Sequence, residues 1–172
     1  GETVNIPDDI PVRNDGDGKG FYISEFDINL KVAKKVIRQL EEAGVTCKLQ
    51  VSNNRKEDLN AAGRMANKLK PQIYLSIHHN SFESGSTGYF SMYNPGDIKS
   101  KQLADNISNA LAGNNKIPQR QNRVNDGYIG ELNVLDKNIT AVLVELGFYS
   151  NIKELEVICS DHQTYYYAKY IS

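Results

Sequence analysis

The spacing of apolar residues changes several times along the chain, and each change separates a predicted helix from a predicted strand. Apolar residues at a period of about 3.6 predict helices over residues 24–43, 57–69, 98–111, 152–158 and 161–171. Alternating or continuous apolar runs predict strands over residues 45–51, 73–77, 89–93, 132–135 and 141–146. Because strands alternate with helices, we expect a single α/β domain over residues 1–172, with a mostly parallel or mixed central sheet and helices on both faces.

Individual residues predict where some of these elements begin, end or pack. Ser24 is expected to cap the first helix, with Asp27 three residues later as in a capping box. Gly44 is expected to follow the last residue of that helix and end it. Cys47 alternates with valine and leucine neighbours, which favours a small buried side chain. Residues 1–22, which contain prolines, are predicted to be strand-like or irregular.

Composition and charge are those of an ordinary globular domain. Hydrophobic residues make up 40% and charged residues 24% of the chain, which argues against disorder. The formal net charge of −1 argues against a nucleic-acid partner bound by bulk electrostatics. The two cysteines form no CxxC motif, so a cysteine-based zinc knuckle or redox site is excluded. No apolar stretch is long enough to span a bilayer, and no basic and apolar leader is visible.

Two polar residues stand directly after apolar runs. His78 follows the run over 73–77, and two of the three histidines of the chain lie at this point. Glu145 follows another apolar run in the same way. In open α/β sheets, ligands bind outside the carboxyl ends of the strands. If the two strands are parallel neighbours, His78 and Glu145 emerge at one edge, as a metal ligand beside a general base. The alternative for Glu145 is a buried ion pair with a lysine or arginine.

Other candidate residues also have simpler explanations. Glu25 lies in the first turn of a predicted helix, where the helix dipole favours an acidic residue without any ligand. His79 could be the ligand in place of His78, or could support it, but neighbouring side chains of a strand point to opposite faces. Only one of the two rings should therefore face a site. His162 is expected to be a surface or packing histidine. GxxxxGK[ST], GxGxxG, HExxH and GxSxG motifs do not occur.

Several motifs, in order along the chain, resemble those of a known family. They are SEFDINL at 24–30, Leu59 with Arg64, Ala66 and Asn67, SIHHN at 76–80, TGYF at 87–90, LNVL at 132–135 and AVLVELGFYSN at 141–151. From residue 21 onward the chain thereby resembles the zinc-dependent N-acetylmuramoyl-L-alanine amidases, in the branch of autolysins, spore-cortex amidases and phage endolysins. The last motif is the most specific of them.

The resemblance implies a set of site residues, a cofactor and a substrate. In the family, two histidines and a glutamate hold zinc, and a further glutamate is the catalytic carboxylate. Carried over to this chain, Glu25 and His78 become metal ligands, Glu145 the general base, and Asn80 a substrate-binding residue. The implied cofactor is Zn²⁺, and the implied partner is peptidoglycan, cleaved between N-acetylmuramic acid and L-alanine. The implied location is extracellular or at the cell wall, reached by a host enzyme or by phage lysis. The sequence predicts no oligomeric state.

The chain departs from the family at the first zinc ligand. The family places a histidine in a turn after its first strand, whereas this chain has no histidine before His78. The corresponding stretch covers residues 10–16. Three explanations compete: the sequence as given starts just after that turn, an oxygen ligand such as Asp15 or Asp17 replaces the histidine, or metal binding is impaired. We favour the first explanation or a local rearrangement, because the other motifs are intact.

Two further functions compete with the zinc amidase. The first is a non-catalytic, wall-binding or regulatory homologue that has lost zinc binding with the missing histidine. The second is a zinc carboxypeptidase that acts on the stem peptide, because related folds carry that chemistry. The polar loop over residues 113–130 contains Arg120 and Arg123, which could meet the carboxylates of the stem peptide or the glycan. A simple solvated loop is the alternative for this segment.

Overall fold

The computed structural model describes residues 6–14, 21–51, 60–113 and 115–172 of the chain. The helices are α1 (Glu25–Glu42), α2 (Ala61–Leu69), α3 (Ile98–Leu111), α4 (Gly130–Asn133), α5 (Ile152–Cys159) and α6 (Asp161–Ile171). The strands are β1 (Val12–Asn14), β2 (Phe21–Ile23), β3 (Ile73–Asn80), β4 (Phe90–Tyr93), β5 (Arg123–Val124) and β6 (Thr140–Phe148). No described helix has the length and apolar character needed to cross a membrane.

The central sheet is mixed, as the sequence predicts. Its four strands lie in the order β3-β6-β4-β5, so β6 is an inner strand. The pair β3–β6 is parallel, β6–β4 is antiparallel, and β4–β5 is parallel. A separate antiparallel pair joins β1 and β2. Strand β6, which contains the apolar run over residues 141–146, therefore has a hydrogen-bonded neighbour on each side, which explains its almost continuous burial.

Successive side chains of β6 enter two different cores, one on each face of the sheet. Val142 and Val144 lie in the larger core, together with buried residues of α1, α3 and α6. Ala141 and Leu143 lie in the smaller core, together with Leu132 beside α2. This alternation follows from the two-residue period of a strand. Helices therefore cover both faces, which confirms the predicted α/β architecture.

Two predicted strands are wrong. Residues 45–51 are irregular, and Val45, Leu49 and Val51 are 48%, 39% and 54% exposed. Alternation alone does not make a strand when no described strand lies alongside to complete the hydrogen bonds. Cys47 is consequently half-buried rather than buried.

Residues 132–135 overlap the short helix α4 instead of forming a strand. Leu132 and Leu135 are both buried in the smaller core. Their spacing of three residues brings them to one side of a helical turn. The spacing of the two leucines fits a helical period, and a segment of four residues is too short to distinguish this from the alternation of a strand.

Most other element boundaries agree with the sequence. Gly44 follows α1 with φ of +87°, as expected for the residue after a C-cap. Ser24 occupies the N-cap of α1, but its side chain makes no capping hydrogen bond among the described residues. Strand β3 extends to Asn80 and so includes both histidines. The predicted helix over 57–69 is described from Ala61 onward, and Leu59 lies outside the described residues.

A buried carboxylate fixes the loop before β4 to the end of β6. Glu154 is 6% exposed and accepts hydrogen bonds from the hydroxyl of Thr87 and from the main-chain N–H groups of Gly88 (2.7 Å) and Phe148 (2.6 Å). Both joined segments border the carboxyl edge of the sheet. The sequence analysis did not identify this residue.

We expect Glu154→Ala to lower the free energy of unfolding by about 3 kcal/mol, because it leaves buried donors without an acceptor. Urea unfolding followed by circular dichroism measures the change. The matched control is Glu156→Ala on the same helix, an exposed position where we expect a change within about 0.5 kcal/mol. Equal effects of the two substitutions would contradict this role of Glu154.

Candidate active site

Three side chains form a row across one face of the sheet. His78 of β3 is the register partner of Glu145 of β6, and Glu145 is in turn the partner of Phe90 of β4. Directly paired residues of neighbouring strands project to the same face. This face is the one that α2 and α4 cover, because Glu145 continues the alternation of Ala141 and Leu143. The condition set in the sequence analysis is met, because β3 and β6 are parallel neighbours and His78 lies beside Glu145.

Glu25 reaches His78 from the first residue of α1. Its Oε1 accepts a hydrogen bond from His78 Nδ1 at 2.9 Å when that nitrogen carries a proton. The same oxygen accepts from Asn29 Nδ2 at 2.9 Å and from the main-chain N–H of His79 at 3.3 Å. Asn29 lies one helical turn after Glu25, so α1 itself orients the carboxylate. The structure thus joins two of the predicted site residues, Glu25 and His78.

A third carboxylate, which the sequence analysis missed, stands on the other side of the imidazole. Glu131 of α4 places Oε1 at 3.9 Å from His78 Nε2, within ion-pair range but too far for a hydrogen bond. Its Oε2 accepts a hydrogen bond from the hydroxyl of Tyr74 at 3.3 Å. Because residues 132–135 were predicted to form a strand, Glu131 was not recognised as a residue of a helix beside the site. A helical interpretation of Leu132 and Leu135 was the signal that could have found it.

Burial and charge shift the pKa values of the central residues. Burial, together with the charges of Glu25 and Glu131, raises the pKa of Glu145 to about 7, although His78 opposes the shift. Burial lowers the pKa of His78, but the hydrogen bond and charge of Glu25 outweigh it, so the pKa lies above its ordinary value. Burial raises the pKa of Glu25, but its hydrogen bonds with His78 and Asn29 prevail and lower it.

Two buried oxygens at this centre have no hydrogen-bond partner among the described residues. They are Oε2 of Glu145 and Oε1 of Glu131. The alternative of a buried ion pair between Glu145 and a lysine or arginine is not seen in the described part of the chain. Unpaired carboxylate oxygens in a buried position are costly unless a cation or a proton approaches them. The centre therefore offers acceptors for both.

His79 and Asn80 follow His78 on β3, and the ring of His79 is buried on the opposite face of the sheet. His79 is 1% exposed, its Nδ1 contacts Asn29 Oδ1 at 2.8 Å, and burial lowers its pKa to about 3. Its ring faces the larger core near Tyr167, opposite to His78. Asn80 ends β3, and its main-chain carbonyl accepts a hydrogen bond from the N–H of Tyr149 at 3.0 Å. A substrate-binding role for the Asn80 side chain stays a prediction.

The donor atoms of Glu25 and His78 suit a zinc ion. A tetrahedral zinc with ligands at about 2.0–2.2 Å separates neighbouring donor atoms by roughly 3.3 Å. Glu25 Oε1 and His78 Nδ1 are 2.9 Å apart, so a small opening of the pair would admit the ion. Among the described residues, no three histidine, cysteine or acidic side chains are arranged as a complete metal site. Asp15 and Asp17 lie outside the described residues.

The fold is that of an α/β protein, and its centre of His78 and neighbouring carboxylates lies at the carboxyl ends of the parallel strands β3 and β6. Residues 13–172 match the N-acetylmuramoyl-L-alanine amidase family, and the chain belongs to this family of hydrolases. The family resemblance of the sequence motifs is thereby confirmed.

Known relatives and solved structures agree with this assignment. Probable cell wall amidase LytH of Staphylococcus aureus is 30% identical over 127 residues, which cover 74% of this chain and 40% of LytH. The chain thus spans less than half the length of these curated relatives. The catalytic domain of CwlV, an N-acetylmuramoyl-L-alanine amidase from Bacillus (Paenibacillus) polymyxa var. colistinus, is 26% identical with a TM-score of 0.74, and the match covers 90% of this chain and 82% of that one. The CwlD amidase of Clostridioides difficile, solved with the GerS lipoprotein, is 26% identical with a TM-score of 0.66, covering 90% and 84%.

Proposed function

We propose that this chain is a zinc-dependent peptidoglycan hydrolase that cleaves the amide between N-acetylmuramic acid and L-alanine. The observation that carries the proposal is the register of His78 beside Glu145, with Glu25 hydrogen-bonded to the same imidazole. These are the three residues that the family resemblance selects. Membership of the amidase family supports the substrate class, and the proposed place of action is the bacterial cell wall.

In this proposal Glu145 moves the protons of the reaction. Its carboxylate takes a proton from the attacking water and returns it to the nitrogen of the departing L-alanine. Burial is the largest cause that raises the pKa of Glu145, and a raised pKa makes the carboxylate a stronger base toward water. Its Oε2, which has no hydrogen-bond partner among the described residues, is the atom proposed for the transfer.

Glu25 and His78 would hold the zinc ion, which supplies Lewis-acid polarisation of the scissile carbonyl when bound. The hydrogen bond from Asn29 and the main-chain N–H of His79 keep the Glu25 carboxylate in place. Glu131 adds negative charge on the Nε2 side of His78. Negative charge around the imidazole favours a cation at the centre over a neutral ligand.

Hydrolysis of purified peptidoglycan in the presence and absence of zinc tests the proposal. We expect the chain to lower the turbidity of a wall suspension and to release new amino groups. Dialysis against a chelator should stop both changes, and stoichiometric Zn²⁺ should restore them. Undiminished hydrolysis by protein with no zinc in elemental analysis would contradict the metal dependence. An absence of new amino groups with zinc present would contradict the amidase reaction.

We expect Glu131→Gln to weaken zinc binding about tenfold or more, because it removes a negative charge beside His78. Competition with a fluorescent zinc chelator measures the dissociation constant directly, without any need for hydrolysis. Glu83→Gln is the control, because it makes the same charge change at an exposed position in the loop after β3. If both variants bind zinc as tightly as the unmodified chain, Glu131 has no part in the centre.

A further inference from the structure

Two arginines lie beyond Phe90, at the end of the row that His78 and Glu145 begin. Arg123 of β5 is the register partner of Met92, which lies two residues after Phe90 and therefore on the same face of β4. The guanidinium carbon of Arg123 lies 4.7 Å from the centroid of the Phe90 ring. Arg120 places its guanidinium carbon 5.9 Å from the same centroid and 5.5 Å from that of Phe148. All three distances are within the range of about 6 Å for cation–π contacts.

The main chain around Arg120 is built to bring this side chain close. The N–H of Arg120 donates to the carbonyl of Tyr89 at 2.8 Å, and the N–H of Tyr89 donates to the carbonyl of Pro118 at 2.9 Å. Gly88 has φ of +111°, and a Cβ at this position would lie 2.6 Å from Cγ of Arg120. Only glycine therefore lets the stem of Arg120 pass over this segment. These contacts fix the main chain of Arg120 and the start of its side chain, and the rings of Phe90 and Phe148 locate the guanidinium.

Neither guanidinium has a carboxylate partner among the described residues. Several other basic side chains are paired with acids: Arg13 with Asp27, Lys31 with Asp9 and Asp161, Arg38 with Glu42, and Lys101 with Asp105. A guanidinium that stacks on an aromatic ring keeps the N–H donors in its own plane free for another acceptor. Arg120 and Arg123 thus place two guanidinium groups, with N–H donors for a ligand, beside the row of His78, Glu145 and Phe90.

Charge is distributed unequally along the row. Three carboxylates, those of Glu25, Glu131 and Glu145, surround His78 at one end, whereas Arg120 and Arg123 lie at the other. Because neighbouring strands are about 4.8 Å apart, β5 is roughly 10 Å from β6. An extended peptide covers this distance with about three residues. The two guanidinium groups at the second end would attract a negatively charged peptide group.

We propose that Arg120 and Arg123 form a subsite for a carboxylate on the stem peptide, close to its L-alanine end. The proposal rests on the amidase function proposed above. It gives the substrate a direction, with the scissile amide at Glu145 and the peptide running toward β5 along the arginines that stack on the buried Phe90. A free carboxylate at the second residue accepts the charge-assisted hydrogen bonds of a guanidinium, whereas an uncharged carboxamide cannot replace them fully. The arginines are therefore specificity-determining residues.

Two muramoyl dipeptides whose γ-carboxyl group is blocked as a methylamide, and which differ only in an α-carboxylate (L-alanyl-D-isoglutamate) or an α-carboxamide (L-alanyl-D-isoglutamine), test the subsite. We expect kcat/KM of the unmodified chain to favour the acid about tenfold or more, mainly through KM. Arg123→Met and Arg120→Met should each reduce this preference severalfold, because methionine still covers Phe90 but carries no charge. Arg123→Lys should restore part of it. Arg38→Met, on the far side of α1, is the control and should leave it unchanged.

Binding of the product dipeptides separates this inference from the amidase function. Isothermal titration with the γ-methylamides of L-alanyl-D-isoglutamate and L-alanyl-D-isoglutamine requires no cleavage. Tighter binding of the acid that depends on Arg120 and Arg123 would support the subsite even if neither muramoyl dipeptide were cleaved, and the proposed reaction alone would then fail. Equal binding of the two dipeptides, or an acid preference that both methionine variants retain, would overturn the subsite.

Discussion

Glu145→Gln should reduce kcat for the release of L-alanine amino groups by about 10²–10⁴-fold, because glutamine cannot accept and return the proton. The amide has nearly the shape of the carboxylate, so the packing of β6 between β3 and β4 should persist. Zinc content should be unchanged, since Glu145 is not one of the two proposed ligands. A steady-state assay with fluorescent labelling of new amino groups measures the effect.

The control for this substitution is Glu156→Gln, which makes the same chemical change at an exposed position. It should leave kcat within twofold of the unmodified chain. Retention of more than a tenth of the activity by Glu145→Gln would contradict the role of Glu145 as the proton carrier. Loss of zinc in that variant would instead assign Glu145 to the metal site.

His78→Ala should remove both zinc binding and hydrolysis. The imidazole is one of the two described groups that suit zinc, and Glu25 alone offers a single carboxylate. We expect zinc occupancy, measured by elemental analysis after gel filtration, to fall at least tenfold, and activity to fall to background. The side chain is 38% exposed, so its removal leaves little cavity and the unfolding temperature should change by only a few degrees.

His162→Ala is the matched control, because His162 is an exposed histidine on α6, remote from the row. Its zinc content and activity should equal those of the unmodified chain. If His78→Ala retained a full equivalent of zinc, the metal would have to be bound elsewhere. The ligand assignment of both His78 and Glu25 would then be wrong.

The sequence predicted the pairing at the centre of the site because it is encoded locally. An apolar run that ends in His78 and another that ends in Glu145 need only parallel neighbouring strands to meet, and β3 and β6 are such neighbours. The start of α1 and the motif over residues 141–151 could be recognised from the sequence for the same reason. Each depends on a continuous segment with one clear period.

The features that the sequence did not predict depend on contacts between distant segments. Glu131 reaches His78 because the short helix α4 packs Leu132 into the smaller core, and four residues carry too weak a period to reveal this. The segment around Cys47 alternates like a strand, yet no described strand lies beside it. Stacking of Arg120 and Arg123 on Phe90 joins residues about 30 positions apart. No local pattern records such a contact.

Mass spectrometry of the soluble products from purified peptidoglycan tests the central claim most directly. The account predicts peptides that begin with a free L-alanine amine, together with glycan strands whose muramic acid carries a free lactyl carboxylate. It also predicts that Glu145→Gln forms both products at least about a hundredfold more slowly. Release of residues from the carboxyl end of intact muramoyl peptides, or new reducing ends in the glycan, would show that the chain cuts a different bond and would contradict the amidase assignment.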